Sequence, residues 1–162
     1  YDVTKLLIPP SSVTVMKYTW TLTSCSLLTV DNNLGLTDVG GIPSATISMS
    51  AANCNLLELP VMVSSSISYL NVPNNSISTA LTLPGSMSYI NISNNLFITL
   101  PTSLPAGLSA LFADGVRMSS TPSIMPNTII SMSLSNCVNL TTWASPTFPS
   151  SLYYLNIRLK KF

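Results

Sequence analysis

Charged side chains are scarce in this 162-residue chain. Asp, Glu, Lys and Arg make up 7% of it, and the net charge is +1; a typical soluble domain is about 25% charged. Nucleic acids and anionic membranes are recognised through clustered basic residues, so this composition argues against both as partners. The chain also has no histidine, which removes the commonest general base and metal ligand.

Long hydrophobic runs are absent too, although 46% of the residues are hydrophobic. Polar residues interrupt the apolar ones every few positions, and no run approaches the roughly 20 residues needed to span a bilayer. We therefore expect no membrane insertion. The chain begins at Tyr1 without an initiating Met or a signal peptide. We interpret residues 1–162 as a single domain that is a fragment of a longer chain.

What the chain does have is a repeat. Residues 67–77 read ISYLNVPNNSI and residues 87–97 read MSYINISNNLF. An apolar residue, here called the ladder residue, recurs along the chain, and a second apolar residue follows two positions later. This alternation predicts one short strand per turn with one side inward. The predicted ladder residues, separated by 29, 21, 20, 21, 21 and 23 positions, are Trp20, Met49, Leu70, Ile90, Leu111, Met132 and Leu155.

Two further columns support this alignment. Five residues after the ladder residue, where each strand must end and bend, come Cys25, Cys54, Asn75, Asn95, Val116, Cys137 and Lys160. An Asn amide both donates and accepts hydrogen bonds and suits a buried bend, whereas Val116 and Lys160 depart from the pattern. Six residues before the ladder residue come Pro43, Pro84, Pro105, Pro126 and Pro149, which predict an extended or irregular return segment rather than a helix.

The pattern resembles leucine-rich repeats, whose consensus LxxLxLxxN/CxL is met by the two segments above and by IISMSLSNCVNL. The segment LPTSLPAGLSAL is similar to the short, proline-bearing bacterial subclass with a period near 21 residues. The resemblance implies a solenoid of about seven turns with a parallel sheet on its concave side and little helix. A parallel β-helix is the alternative. The 29-residue gap implies a longer turn or an insertion around DNNLGLTDVGG.

Catalytic and metal-binding groups are not clustered in this alignment. The carboxylates Asp2, Asp31, Asp38, Glu58 and Asp114 share no column, although Asp31 and Asp38 could meet in one loop. A glycoside hydrolase needs two carboxylates that face one bond, and zinc needs four ligands of the Cys or His type. The cysteines in the inward column are therefore interpreted as a buried structural ladder. We expect no enzyme activity, no metal and no cofactor.

The outward columns on either side of the ladder residue are the candidate ligand-binding surface. They are rich in Tyr, Asn and Ser, which supply contact area and adaptable hydrogen bonds. The predicted site residues are Tyr69, Tyr89, Tyr154, Asn71, Asn91, Phe112 and Asn156. The alternative is that these are simply solvated strand residues. Glycosylation sequons begin at Asn74, Asn91 and Asn139.

The resemblance implies a non-catalytic recognition module that binds a protein or a glycan through its concave face. The low charge and the abundance of Ser, Thr and Asn favour an extracellular, cell-surface or virion-surface protein. The alternative is a structural unit of a filament, coat or tail assembly in which neighbouring copies are the partners, because an uncapped solenoid exposes apolar ends. A β-helical carbohydrate enzyme is a third, less favoured hypothesis.

Overall fold

Eight three-residue strands form one parallel sheet in a computed structural model that describes residues 4–10, 25–60, 66–144 and 147–158. The strands, in order both along the chain and across the sheet, are β1 (Lys5–Leu7), β2 (Leu27–Thr29), β3 (Ser48–Ser50), β4 (Tyr69–Asn71), β5 (Tyr89–Asn91), β6 (Ala110–Phe112), β7 (Ser131–Ser133) and β8 (Tyr154–Asn156). The described residues contain no helix. The predicted solenoid with a parallel sheet is confirmed.

The core follows from the alternation of the strands. The central residue of each strand pairs with the central residue of the next, so Met49, Leu70 and Ile90 stack in one column, with the residue two positions later forming a second column. Apolar residues of the return segments, such as Phe97, close the core from the other side. A single turn could not bury this apolar surface, and stacking of successive turns makes the core continuous.

The alignment of the first predicted turn is wrong. Strand β2 places Leu28, not Trp20, beside Met49, and Trp20 itself lies outside the described residues. The spacing is therefore 21 residues, and the segment DNNLGLTDVGG is an ordinary return segment rather than an insertion. Cys25 consequently lies three residues before the ladder residue, in the apolar column of Ile67, and the Asn/Cys column begins at buried Asn33 instead.

The proline column marks a tight turn before each strand. The carbonyl of Pro84 accepts a hydrogen bond from the backbone N–H of Met87 at 3.1 Å, and Pro43, Pro105, Pro126 and Pro149 accept the equivalent bond from the third residue after them. Proline donates no backbone hydrogen bond, and here its carbonyl accepts one. The residue that donates this bond is apolar in four of the five turns, and its side chain packs in or against the core.

The inward Asn/Cys column stabilises the bend after each strand. Asn95 Nδ2 donates to the Val72 carbonyl of the preceding turn at 2.8 Å, and Asn75 Nδ2 donates to the Ala51 carbonyl at 2.8 Å. Cys54 Sγ makes the corresponding bond to the Val30 carbonyl at 3.2 Å, as Cys137 Sγ does to that of Ala113. Buried backbone carbonyls are thus paired between turns, which avoids the cost of leaving them unsatisfied.

A second column of Asn residues lies one position earlier and was not recognised in the sequence. These residues have positive φ, a conformation that Asn tolerates better than most residues. The column consists of Asn32, Asn53, Asn74, Asn94, Gly115 and Asn136. The amide of Asn53 donates to Asn32, that of Asn74 to Asn53 and that of Asn94 to Asn74, at 2.7 to 3.0 Å. We call this column the asparagine turn column.

Gly115 interrupts the asparagine turn column and gives a testable contrast. Its φ is +68°, and a Cβ there would lie 2.5 Å from Asn94 Oδ1. We expect Gly115→Ala to lower the free energy of unfolding by about 1–2 kcal/mol, the cost of left-handed backbone for a residue with a Cβ. Gly115→Asn should cost less, because Asn tolerates this φ and the Asn94 side chain can turn to pair with it. Urea unfolding monitored by circular dichroism measures both; equal losses would contradict this explanation.

Thr46 is a polar residue at an apolar core position. It is fully buried in the column of Ile67 and Met87, and its Oγ1 has no hydrogen-bond partner. We expect Thr46→Val, which keeps the shape and removes the unsatisfied hydroxyl, to raise the free energy of unfolding by about 1 kcal/mol. The matched control Thr46→Ser keeps the hydroxyl and loses the methyl group, so it should be destabilising. A lower urea midpoint for Thr46→Val than for the unmodified chain would contradict this prediction.

Candidate functional site

Two columns of side chains project from the concave side of the sheet because successive strand residues alternate between its two sides. The first column, one residue before the ladder residue, consists of Leu27, Ser48, Tyr69, Tyr89, Ala110, Ser131 and Tyr154 on β2 to β8. The second, one residue after it, consists of Thr29, Ser50, Asn71, Asn91, Phe112, Ser133 and Asn156. Together they form a surface that we call the concave strip.

Three aromatic side chains meet in the middle of the concave strip. Tyr69 and Tyr89 stack with ring centroids 4.3 Å apart and planes 9° from parallel. On the other side of Tyr89, Phe112 lies 5.7 Å away with its ring tilted by 43°. Ala110, two residues before Phe112, pairs with Tyr89 on the neighbouring strand. The small side chain of Ala110 leaves room for Phe112 to approach Tyr89 across the strip. This aromatic cluster is half-buried and borders solvent.

The phenol of Tyr89 is neutral at physiological pH. Burial, followed by the neighbouring Tyr69, raises the pKa of Tyr89 above its ordinary value. Tyr89 therefore offers a neutral ring edge and hydroxyl group rather than a charge.

Polar side chains of the second column are hydrogen-bonded to one another. Asn91 Nδ2 donates to Asn71 Oδ1 at 3.1 Å, and Asn71 Nδ2 donates to Ser50 Oγ at 2.9 Å. Ser50 Oγ in turn donates to Asp31 Oδ1 at 2.7 Å. This chain of bonds connects the amides beside the aromatic rings, an arrangement that lowers the entropy cost of ordering them when a ligand binds.

A second, shorter chain of the same kind lies at the other end of the strip. Asn156 Nδ2 donates to Ser133 Oγ at 3.1 Å, and Ser133 Oγ donates to Asp114 Oδ1 at 2.6 Å. Tyr154, on the same strand as Asn156, is separated from Tyr89 by Ala110 and Ser131 in the first column. The predicted site residues thus form one aromatic and amide cluster on β4 to β6 and a separate Tyr–Asn pair on β8.

Asp31 and Asp114 hold equivalent positions, three residues after Leu28 and Leu111. The expectation that no carboxylates share a column is therefore wrong, because it depended on the misplaced first turn. Each carboxylate accepts a serine hydroxyl and a backbone N–H of the next turn. They are four strands apart, roughly 19 Å at the usual strand spacing, too far to act on one glycosidic bond. Asp38 instead accepts the backbone N–H of Gly40 within its own loop.

The three cysteines are free and buried. Burial raises the pKa of the Cys54 and Cys137 thiols above the ordinary value. Because the thiolate is the reactive form, these residues are poor nucleophiles at neutral pH. Among the described residues, no group of three His, Cys, Asp or Glu side chains is arranged to hold a metal ion.

The three sequons differ in their surroundings. Asn74 donates to Asn53 and accepts from Asn94 in the asparagine turn column, and Asn91 is half-buried within the concave strip. Asn139 is exposed, with its amide 3.2 Å from the Arg117 carbonyl. Asn74 and Asn139 are therefore both exposed in the folded chain, whereas Asn91 is not.

The comparison with solved structures agrees with this architecture. YopM from Yersinia enterocolitica WA-314, a leucine-rich-repeat protein, matches 96% of this chain with a TM-score of 0.60 and 21% sequence identity. The fold is a leucine-rich-repeat solenoid. At this identity the likeness concerns the fold alone, and this leucine-rich-repeat chain spans 35% of the length of the YopM chain. No family model matches the chain, and a search of curated proteins gives no match.

No helix in the described part of this leucine-rich-repeat chain is long and apolar enough to cross a membrane.

The features that sequence reasoning missed are the hydrogen-bonded chains ending at Asp31 and Asp114 and the asparagine turn column. A recurring Asn four residues after the ladder residue was the available signal for the latter.

Proposed function

We propose that this leucine-rich-repeat chain is a non-catalytic recognition module that binds a protein through its concave strip. The observation that carries the proposal is the aromatic cluster of Tyr69, Tyr89 and Phe112 on an exposed sheet face, held beside hydrogen-bonded amides. Rigid aromatic side chains supply binding energy at a low entropy cost and are enriched at the centres of protein interfaces. A solenoid also presents such a surface without any change in its core.

The packing of the rings favours a protein over a glycan. A sugar ring binds by lying flat on a free aromatic face. Tyr89, the central ring, has one face against Tyr69 and Phe112 on its other side, so mainly its edge and hydroxyl remain for a ligand. Edge contacts and single hydrogen bonds suit the mixed apolar and amide groups of a polypeptide.

We further propose that the module works on an extracellular, cell or virion surface. Supporting this are the low proportion of charged residues and the many Ser, Thr and Asn side chains. The three free thiols are also buried, which limits their access to oxidants.

The experiment is a selection against the immobilised chain with a phage-displayed library of random twelve-residue peptides, together with a glycan array. Serine already occupies these columns at Ser48, Ser131 and Ser50, so the double variant Tyr89→Ser/Phe112→Ser should fold and serve as the comparison. We expect enriched peptides that bind the unmodified chain and not this variant. Equal binding to both would refute the concave strip as the site, and binding only to glycans would refute the protein partner.

The second candidate function is a structural unit that stacks against neighbouring copies. The observation that favours it is a set of exposed apolar side chains on the return segments between the strands, where Leu34 is 75%, Ile98 64% and Ile124 61% exposed. Light scattering on a size-exclusion column at micromolar concentration separates the two functions. The recognition proposal predicts a monomer near 17.3 kDa; ordered polymers would favour the structural unit.

A further inference from the structure

The two hydrogen-bonded chains on the concave strip have the same construction. In each, an aspartate three residues after a ladder residue accepts the hydroxyl of a serine on the next strand, and that serine accepts the amide of an asparagine on the strand after it. The two sets are Asp31–Ser50–Asn71, from the end of β2 to β4, and Asp114–Ser133–Asn156, from the end of β6 to β8. The same residue types in the same register at two places indicate an arrangement built into the repeat.

The aspartate determines the direction in which each chain of hydrogen bonds runs. A single oxygen, Asp31 Oδ1, accepts both Ser50 Oγ and the backbone N–H of Ala52, each at 2.7 Å. A carboxylate has no proton to donate and a backbone N–H can only donate, so the Ser50 hydroxyl gives its proton to Asp31. The lone pairs of Ser50 Oγ then face the strip, and the Asn71 amide turns its Nδ2 toward them.

Asp114 acts on the second chain in the same way. Its Oδ1 accepts Ser133 Oγ and the backbone N–H of Ser135, both at 2.6 Å. Ser133 Oγ therefore accepts Asn156 Nδ2, at 3.1 Å. Among the described residues, this is the only hydrogen bond of the Asn156 side chain. The orientation of the Asn156 amide consequently depends on the Ser133 hydroxyl and, through it, on Asp114.

The first chain continues to the aromatic cluster. Asn91 Nδ2 donates to Asn71 Oδ1, and Asn91 Oδ1 accepts the backbone N–H of Ser93 at 3.1 Å. Every bond from Ser93 to Asp31 therefore runs in one direction, from a group that can only donate to a group that can only accept. Burial raises the pKa of Tyr89, and the neighbouring Asn91 side chain opposes that rise, so the amide also acts on the phenol. The amides beside the rings thus have fixed donor and acceptor positions.

We propose that Asp31 and Asp114 are positioning residues of the concave strip. Each acts without contacting the partner protein: through a serine, it fixes which way an asparagine presents its N–H and its carbonyl oxygen to that partner. The inference rests on the proposed function and deepens it, because the partner's hydrogen-bonding groups must then match one fixed arrangement of amides. Since an acceptor oxygen carries this role, a neutral side chain that keeps the oxygen should replace the carboxylate, whereas a side chain without it should not.

Nuclear magnetic resonance of the ligand-free chain tests the orientation directly. Because Asn156 Nδ2 bonds to Ser133 Oγ, its protons should show a nuclear Overhauser effect to the β protons of Ser133. We expect this effect to persist in Asp114→Asn, which keeps an oxygen at the Oδ1 position. It should weaken in Asp114→Ala, where the Ser133 hydroxyl can turn and the Asn156 amide can flip. Unchanged intensity in Asp114→Ala, or equal weakening in Asp114→Asn, would overturn the inference.

Peptide binding tests the consequence for recognition. The probe is a peptide selected from the twelve-residue library that loses affinity in Asn71→Ala, so that it contacts an amide of the first chain. In titration calorimetry, Asp31→Ala and Ser50→Ala should each bind about tenfold more weakly, the order of one hydrogen bond. The double variant should lose no more than either single variant, because both break the same chain. Asp31→Asn should bind within about threefold of the unmodified chain.

Asp38→Ala is the matched control. Asp38 accepts the backbone N–H of Gly40 within a return segment, so this variant also removes a carboxylate and leaves a backbone donor without its partner, but away from the strip. It should bind the peptide as the unmodified chain does. Circular dichroism establishes that each variant folds.

Three binding results would overturn the inference: full affinity in Asp31→Ala, additive losses in the double variant, or a loss in Asp31→Asn as large as that in Asp31→Ala. Failure to select any peptide that depends on Asn71 would overturn it as well. Peptides indifferent to Tyr89 would instead refute the proposed function, and the resonance experiment would still decide whether Asp114 orients the Asn156 amide.

Discussion

Replacing Asn95 with alanine is expected to lower the free energy of unfolding by about 4 kcal/mol. Asn95 Nδ2 donates to the carbonyls of Val72, Ile92 and Ser93, and its Oδ1 accepts the backbone N–H of Ile77 at 3.1 Å. Truncation leaves several buried backbone groups without partners, each costing about 1–3 kcal/mol with partial relaxation. Urea unfolding monitored by circular dichroism measures the change.

Two further variants separate this explanation from a general loss of packing. Asn95→Cys should cost roughly half as much, because Cys54 and Cys137 already occupy this column and each donates to the equivalent carbonyl of the preceding turn. Asn127→Ala, at an exposed position, should change stability by less than about 0.5 kcal/mol. If Asn95→Cys were as destabilising as Asn95→Ala, hydrogen bonding in the inward column would not be the reason.

Replacing Tyr89 with serine is expected to weaken the binding of a selected peptide ligand at least about 30-fold, or about 2 kcal/mol. Tyr89 is the central ring of the aromatic cluster and contacts both Tyr69 and Phe112. Its removal takes away its own contact area and leaves the other two rings unsupported. Titration calorimetry of the variant and the unmodified chain measures the loss.

Stability and salt provide the controls for this prediction. The fold should survive Tyr89→Ser, because Ser48 and Ser131 occupy the same column. Binding should also change little between 50 and 500 mM NaCl, since the strip carries no charge between β2 and β8. A strong salt dependence, or full affinity in the serine variant, would indicate that the ligand lies elsewhere.

The middle of the fold could be predicted because several columns of the repeat agree there on which residue of each turn is the ladder residue. Between Met49 and Leu155, the ladder residues recur every 20 to 23 positions together with the Asn/Cys and proline columns, and the structure keeps that register. The first turn could not be aligned by alternation alone, because residues 19–22 (TWTL) and residues 27–30 (LLTV) fit the pattern equally well. Cys25 also lies five residues after Trp20, just as Cys54 lies five residues after Met49. The deciding signal was Asn32–Asn33, which matches Asn74–Asn75 in the correct register.

The candidate site was only partly predictable for a similar reason. Column positions placed Tyr69 beside Tyr89, but the approach of Phe112 across Ala110 depends on side-chain orientation, which a repeat pattern does not specify. Likewise, the equivalence of Asp31 and Asp114 became visible only when Leu28 was identified as the ladder residue. The serine hydroxyls that connect them to the amides have no sequence signature of their own.

Hydroxyl-radical footprinting of the chain with and without its tightest selected ligand, peptide or glycan, tests recognition through the concave strip most directly. Aromatic side chains react readily and are present both on the strip and away from it. We predict that Tyr89, Phe112 and Tyr154 become protected, while Trp143 and Phe148, which contact each other in the last return segment, react as before. Protection of Trp143 and Phe148 with an unchanged strip would contradict the account.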